Sequence, residues 1–405
     1  MQMSSRDRFT LLLLLVFTQS NIAFAETSLI SNLQYHGFLT QGFTYTTDNN
    51  FFGESSDNGS FEFTEIGFNL SGRILDNTYA SAQVISRTAG EFDDGDLKLD
   101  YGMLDFNLVN SEDWLGGLRL GRIKNPYGLY NDSRDAAVSR NGIFLPQSIY
   151  FDKVRDLIHH SDGFMLYADV NLNNADLYFQ SAYGRSDMGV NVESAFLAND
   201  FPGQMKDDDP ISSTRLIYEY QGGLLRLGYT KVYLNMAYRP AAAIPFDIGP
   251  GGVDLDLDIF SVEFNQDKWS ITAEYMQQAL AWYNFSIPSL DNNDHNAEGY
   301  YLQATYRPID TTEFFIRYDV SHLNVDDKKG IRSASRPPPP QPPPAFAQYA
   351  YDWTLGMRWD ITKNFMLRAE YHNVEGTSWL SAQEIPFSSM VKDWEMFNLL
   401  VSYHF

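Results

Sequence analysis

The chain closes with FNLLVSYHF, residues 397–405, in which Phe397, Leu399, Val401, Tyr403 and Phe405 fall on one side of an extended backbone. Asn398, Ser402 and His404 fall on the other, with Leu400 as the exception. A period of two is that of a β-strand, whose successive side chains point to opposite faces. One such segment would suit any half-buried strand, so its repetition decides the fold. Forward from Leu33 the same dyad pattern occupies residues 33–45, 60–75, 79–88, 97–109, 115–124, 162–170, 175–185, 213–220, 224–234, 255–266, 269–280, 297–308, 312–323, 349–360, 365–374 and 393–405, sixteen segments in all. Turn-like connections join them in alternation with longer, more polar ones: Asp76-Asn77, Asn110 to Trp114, Asn171 to Asn174, Gln221 to Gly223, Gln266 to Lys268, Pro308 to Thr311 and Ile361 to Asn364 are the short set.

The first residues read as an address. Arg6 and Arg8 precede the apolar run Leu11 to Phe17, and Ala23-Phe24-Ala25 is a small-residue cleavage site. Residues 1–25 are therefore expected to be a signal peptide removed on export, and 26–405 the working barrel. An uncleaved anchor needs about 20 apolar residues, and the polar stretch Thr18 to Asn21 ends this run early. The chain has no Cys, which excludes disulfides, thiolate metal sites and a lipidated N-terminus.

Aromatics make up 15% of the chain, and its mean hydropathy is -0.32. No helix-length apolar run follows residue 25. A membrane barrel needs none, because alternate residues face lipid and lumen. A β-sandwich would alternate too, but without a systematic parity of short and long connections. That parity places both termini at one rim, as in a barrel with turns in the periplasm and loops outside. The fold class expected is all-β, a transmembrane antiparallel β-barrel of about sixteen strands. The register points Ile66, Phe68, Leu70, Ile74, Leu302, Ala304, Tyr306, Trp353, Leu355, Met357 and Trp359 outward to lipid. It points Arg73, Arg87, Arg119, Arg226, Arg307, Arg317, Arg358 and Arg368 inward, with Glu65, Asp105, Asp169, Glu219, Glu263, Glu274, Asp319 and Glu370. Burying so many charges in a side-chain-filled interior is costly. The sequence thus predicts an aqueous lumen whose charged wall is solvated and mutually paired.

Between the fifth and sixth segments lies a long insert, Arg122 to His160, RIKNPYGLYNDSRDAAVSRNGIFLPQSIYFDKVRDLIHH. Connections beyond about 12 to 15 residues without regular structure usually carry function. This one holds Arg122, Lys124, Arg134, Arg140, Lys153 and Arg155 against Asp132, Asp135, Asp152 and Asp156, so six minus four leaves two positive charges in a chain of net charge -23.

An aromatic final residue on such a strand resembles the closing strand of Gram-negative outer-membrane proteins. The position of the insert, as the third outer loop, resembles that in the sixteen-stranded porins, whose third loop folds into the barrel and narrows it. Gly121 to Asp135, GRIKNPYGLYNDSRD, is similar to the corresponding region of the phosphate-selective and related substrate-selective porins, where a strand ends in Gly, a basic residue and a Pro-aromatic-Gly turn. The dense basic clusters of a phosphate channel have no match here. The resemblance implies an outer-membrane location in a Gram-negative bacterium, residues 122–160 as an inward-folded constriction loop, and a homotrimer, for which Ala80 and Ala82 offer small outward residues. Arg119, Arg122, Lys124, Arg134, Asp135, Arg140, Arg317 and Arg368 are expected to line or constrict the pore.

The function expected is a passive diffusion channel for small hydrophilic solutes and ions, with a weak anion preference set by the insert. The alternative is a substrate-selective binding channel for sugars or organic and inorganic anions, with Tyr167, Tyr178 and Tyr301 as a sliding surface. An outer-membrane enzyme is a third reading, but His36, His159, His160, His295, His322, His372 and His404 follow no catalytic or metal-ligand spacing. No cofactor is expected. The partners expected are small solutes or ions, lipid, lipopolysaccharide and copies of the chain, with no nucleic acid. Glu91, Asp93, Asp94, Asp96 and Asp100 lack the EF-hand spacing and read as a solvated acidic loop. With Asp207, Asp208, Asp209, Asp254, Asp256, Asp258, Asp326 and Asp327 they give an acidic outer rim. Residues 336–344, RPPPPQPPP, read as a stiff polyproline tip.

Overall fold

A computed structural model of the chain describes residues 31–197, 203–207, 209–241, 249–287, 291, 293–338 and 342–405. The expected signal peptide, 1–25, lies outside the described residues, as do parts of the polyproline run. The strands are β1 (Ser31–Thr46), β2 (Phe63–Leu75), β3 (Thr78–Ala89), β4 (Asp94–Asn110), β5 (Trp114–Lys124), β6 (His160–Asn171), β7 (Ala175–Ser186), β8 (Gly203–Asp207), β9 (Ile211–Tyr220), β10 (Leu225–Pro240), β11 (Gly251–Asn265), β12 (Trp269–Tyr283), β13 (His295–Ile309), β14 (Thr312–His322), β15 (Tyr349–Asp360), β16 (Phe365–Gly376) and β17 (Asp393–His404).

Sixteen of them form the wall, each antiparallel to its neighbours. β7 pairs with β9, and β17 returns to β1 from Phe38↔His404 to Thr46↔Met396, so the sheet closes on itself. Closure is what allows a sheet to sit in lipid, because it leaves no edge of unpaired N–H and C=O groups. β8 is the exception: it pairs only with the far end of β10, from Met236↔Asp207 to Pro240↔Gly203, beyond the reach of β9. All sixteen segments read from the sequence overlap a wall strand, and the short turns gather at one rim. The second of the long connections was expected to be an extended acidic loop and is instead the tight turn 90–93, where Ala89 N donates to Asp93 O at 2.8 Å. Asp94, Asp96 and Asp100 belong to β4 itself.

The outward register holds as read. Ile66, Phe68, Ile74, Leu302, Tyr306, Trp353, Leu355 and Trp359 are all exposed on the outer surface. At the closing strand Phe397, Leu399, Val401 and Phe405 face out, while Leu400, the sequence exception, is fully buried inside.

Higher up the wall the pattern reverses. On β11, Phe260 and Val262 face outward in the apolar band, but beyond them the outward positions are Asp254, Asp256 and Asp258, and the inward ones are the buried Val253, Leu255, Leu257 and Ile259. β10 does the same, with Val232, Leu234, Met236 and Tyr238 buried inside and Lys231 outside, bonded to Asp256 and Asp258. These strand ends project past the apolar band and enclose a packed interior, as the wall of a water-soluble barrel would.

The seam depends on one small residue. Phe405 N donates to Gly37 O at 3.0 Å and Gly37 N donates to Phe405 O at 3.1 Å. A Cβ at Gly37 would lie 2.5 Å from the Phe405 ring. Gly37→Val is expected to destabilise the closed barrel by about 1–3 kcal/mol through overpacking, and Phe405→Ala on that background to restore part of the loss. Heat-dependent gel mobility measures both, and a Gly37→Val barrel as heat-resistant as the parent would refute the wedge.

Candidate functional site

β5 ends at Lys124 and β6 begins at His160, and the residues between enter the barrel. Their two ends are clamped at the entrance. Asn125 N donates to His159 O at 3.0 Å, Ser161 Oγ donates to Asn125 Oδ1 at 2.7 Å, and Asn131 Nδ2 donates to Asn125 O at 2.9 Å and His159 O at 3.1 Å. The Pro126-Tyr127-Gly128 turn follows, with Gly128 at φ 53. A Cβ there would meet Tyr150 Oη at 2.3 Å, so the close approach admits only glycine. Just past it the loop docks on Glu274 of β12, a buried carboxylate. It accepts from Tyr150 Oη at 2.6 Å, Ser261 Oγ at 2.6 Å, Tyr301 Oη at 2.9 Å and Leu129 N at 3.1 Å.

From there the loop runs around the inner wall and bonds to strand after strand. Arg215 of β9 donates to Gly128 O at 2.8 Å, Tyr130 Oη to Glu263 of β11 at 2.8 Å, and Gln303 of β13 to Asn141 O at 3.2 Å. Arg317 of β14 donates to Phe144 O at 3.2 Å and Arg358 of β15 to Val138 O at 2.9 Å. Ile143 N donates to Glu370 and Arg368 donates to Arg140 O, both from β16. Arg140 forks onto Glu65 of β2 at 3.1 and 2.6 Å, and Arg87 of β3 reaches Asp152 at 3.2 Å. The expectation of a solvated charged wall is corrected on this side of the barrel. Arg317 and Arg368 are 2% exposed and Glu65 0%, because the loop covers them and supplies their partners. Its Phe144 packs with Phe51, Phe52, Trp379 and Leu380 into an apolar core.

The loop leaves room on the opposite side. Between its segment from Asp132 to Ser139 and the inner faces of β3 to β7 lies a cavity of about 400 Å³, lined by Gln83, Tyr101, Arg119, Lys124, Asp135 and Gln180 among others. Arg119 bonds Asp105 at 2.9 Å and lies over the Tyr167 ring at 4.6 Å. Lys124 pairs with Asp135 and, at 3.2 Å, with Asp100, and it sits 5.3 Å over the Tyr101 ring. Arg155 completes the group on Asp135, and His159 Nε2 stands 2.8 Å from Asp100 and 3.2 Å from Asp135. Burial would raise the Asp135 carboxyl, but His159, Lys124 and Arg155 together hold it well below the usual range.

The eight residues expected at the pore therefore separate into three sets. Arg119, Lys124 and Asp135 border the open cavity. Arg134, Arg140, Arg317 and Arg368 are buried and hold the loop; Arg134 donates to Tyr150 O at 3.2 Å and Asp152 at 3.4 Å. Arg122 was expected in the constriction and stands on the outer face, bonded to Asp162 at 2.8 Å and Asp187 at 3.1 Å. The reason is the strand period: Ile123 takes the inward position, packed on Met165 and Ala182, so its neighbour points out. Asp100, His159 and His160 bring ligand atoms within 4.8 Å of one another. Lys124 already neutralises Asp100, and His160 Nε2 is 3.2 Å from Asp187, so the cluster is better read as an ion-pair network than as a metal centre. Glu274, Tyr150, Arg155 and Asp100 went unread in the sequence as parts of this site. Glu274 carried a signal as an inward acid, while the others lack any marker of spacing.

No protein-family model matches the sequence, and no curated protein matches it. Solved structures do. The outer membrane channel DcaP of Acinetobacter baumannii matches with a TM-score of 0.57 at 12% identity, over 94% of this chain and 99% of that one. An anion-selective porin from Comamonas acidovorans gives 0.56 at 11%, over 92% and 99%. The trimer form of OmpT, an outer membrane protein of Vibrio cholerae, gives 0.55 at 12%, over 92% and 99%. The chain has the fold of the sixteen-stranded outer-membrane porins.

Because Arg134 and Arg140 are buried, trypsin is expected to spare them in the folded barrel. Removing Glu274 orphans donors that each cost about 1–3 kcal/mol to leave unpaired, so Glu274→Ala should be cut at both sites at least about tenfold faster. Mass spectrometry of timed digests reads this out, and equal rates would show that Glu274 does not dock the loop.

Proposed function

We propose that the protein is a passive diffusion channel of a Gram-negative outer membrane, passing small hydrophilic solutes and ions without catalysis. The observation that carries this reading is the cavity of about 400 Å³ left between the inserted loop and the wall of β3 to β7, where Gln83, Arg119, Lys124, Asp132, Asp135 and Gln180 stand beside Met103, Ile123 and Met165. The short-turn rim, with the start of β1 and the end of β17, then faces the periplasm and the long connections face outward, as barrel assembly requires.

Selectivity follows from what borders the cavity. Arg119 is paired with Asp105, Lys124 with Asp135 and Asp100, and Asp132 with Arg215. Closed pairs give little net field, so ion preference is weak, and Arg134 and Arg140 are spent inside the fold. Lys124, at the cavity edge between Asp100 and Asp135, keeps the balance from falling to cations, and the remaining weak preference is for anions. The chain assembles as a trimer, like the trimer form of the Vibrio cholerae protein. The contact falls on the outer face of β2 to β4, where Gly72 pairs with Ala80 and Ala82 with Gly102 to leave a shallow surface that a second barrel can approach closely.

Planar-bilayer recording tests the reading. Stepwise currents that rise with KCl concentration are expected, with a reversal potential near zero and slightly on the anion side under a salt gradient. Lys124→Gln should move it toward cations. A protein that inserts yet conducts nothing refutes the channel, and a potential unmoved by Lys124→Gln refutes its role.

A further inference from the structure

A second cavity, of about 270 Å³, opens among the long connections. Its floor is Phe151, Lys153 and Val154 of the inserted loop, and its walls include Trp282 of β12, Leu380 and Phe387. Most of this lining is apolar, and its charges do not balance. Among the described residues the one acid that lines it is Glu298, which is already paired with Lys328 outside the lining. Two cations remain. Lys153 donates to Ser378 O and has no carboxylate partner among the described residues; burial pushes its ammonium down to about 8. Arg336 donates to Asn293 Oδ1 at 2.6 Å and likewise has no acid beside it among the described residues.

In a chain of net charge -23, acids are plentiful, and inward cations such as Arg87, Arg119, Arg140 and Arg155 have each found one, while Arg317 and Arg368 are answered by loop carbonyls. A desolvated cation without a counter-ion is costly, so Lys153, with the half-buried Arg336 on the same cavity, calls for an anion that is not part of the protein. The walls set its body. Rings and aliphatic surface predominate over polar groups such as Asn191, Gln278, Asn293 and Gln348, which is how sites for ligands with an apolar body are built, with polar groups fixing orientation. The volume equals that of roughly nine waters, so the body is one ring or a short branched chain. We propose that this cavity binds a small aromatic or aliphatic monocarboxylate, its carboxylate on Lys153 with Arg336 as second cation and its body against Trp282, Leu380 and Phe387. Resting on the channel reading, this deepens it: the vestibule captures such acids above the passage and so selects the solute.

Calorimetric titration of the detergent-purified protein with benzoate, acetate and benzyl alcohol tests the site separately from conduction. Benzoate should bind, and acetate, which lacks the body, and benzyl alcohol, which lacks the charge, at least about tenfold more weakly. Lys153→Met should weaken benzoate at least about tenfold, Lys153→Arg should retain it, and both should melt with the parent. Benzyl alcohol binding as tightly as benzoate, or Lys153→Met leaving benzoate unchanged, overturns the proposal. Benzoate binding with no bilayer current would sink the channel reading and leave the site standing, whereas current without benzoate binding would do the reverse.

Discussion

A carboxylate placed inside a barrel must be given donors, and here the donors come from the very segment it holds. Glu274 accepts four hydrogen bonds, two of them from the inserted loop. Glu65, Glu263 and Glu370 repeat the arrangement on β2, β11 and β16, each taking a bond from the loop. In return Arg317, Arg358 and Arg368 donate to loop carbonyls that would otherwise be stranded away from water. An orphaned buried polar group costs about 1–3 kcal/mol, so neither wall nor loop is stable in this form without the other. That reciprocity is why a segment with only short 3-10 and α turns keeps one path through the lumen.

The same bargain divides the barrel along its axis. In the apolar band, polar residues face in and apolar ones out, as lipid demands. Beyond it β10 and β11 carry Lys231, Asp254, Asp256 and Asp258 outside and a continuous apolar set inside. Water on the outside and packed side chains on the inside favour that reversal by the ordinary hydrophobic effect. The loops of this upper storey can therefore pack as a core, with Phe51, Phe52, Phe144 and Trp379 in edge and stacked contacts, above a lower storey held by charge pairs.

The strands were legible because their signal is local. A dyad such as Phe397, Leu399 and Val401 needs only its own segment to be read, and the register it gave for Arg317, Glu274 and Trp353 agrees with the wall. What surrounds an inward charge is not local. Arg368 looks the same in sequence whether it faces water or the carbonyl of Arg140, and the alternation that correctly placed it inside says nothing about what fills the inside. Arg122 shows the complementary limit. Its basic neighbours suggested one functional cluster, but a strand sends consecutive residues to opposite faces, and Ile123 had the better claim to the interior. The tight turn 90–93 was missed for a similar reason, since acidic residues mark solvent exposure equally well on a strand end and in a loop.

The net charge of the chain and the charge felt in the lumen are separate quantities. Acids such as Asp254, Asp256 and Asp258 lie on the outer face, where salt screens them over about 8–10 Å. Inside, Arg119 and Asp105, Lys124 and Asp135, and Arg215 and Asp132 form closed pairs whose fields largely cancel. An acidic protein thus encloses a nearly neutral cavity, and a cation without a counter-charge stands out against it. Lys153 is such a cation, and it lies on the floor of the upper cavity and on the loop that fills the lower one. In the proposed channel, discrimination among solutes falls above the narrowing, where the walls are largely apolar and Lys153 and Arg336 act without a paired acid among the described residues, and the pairs below hold the loop in place.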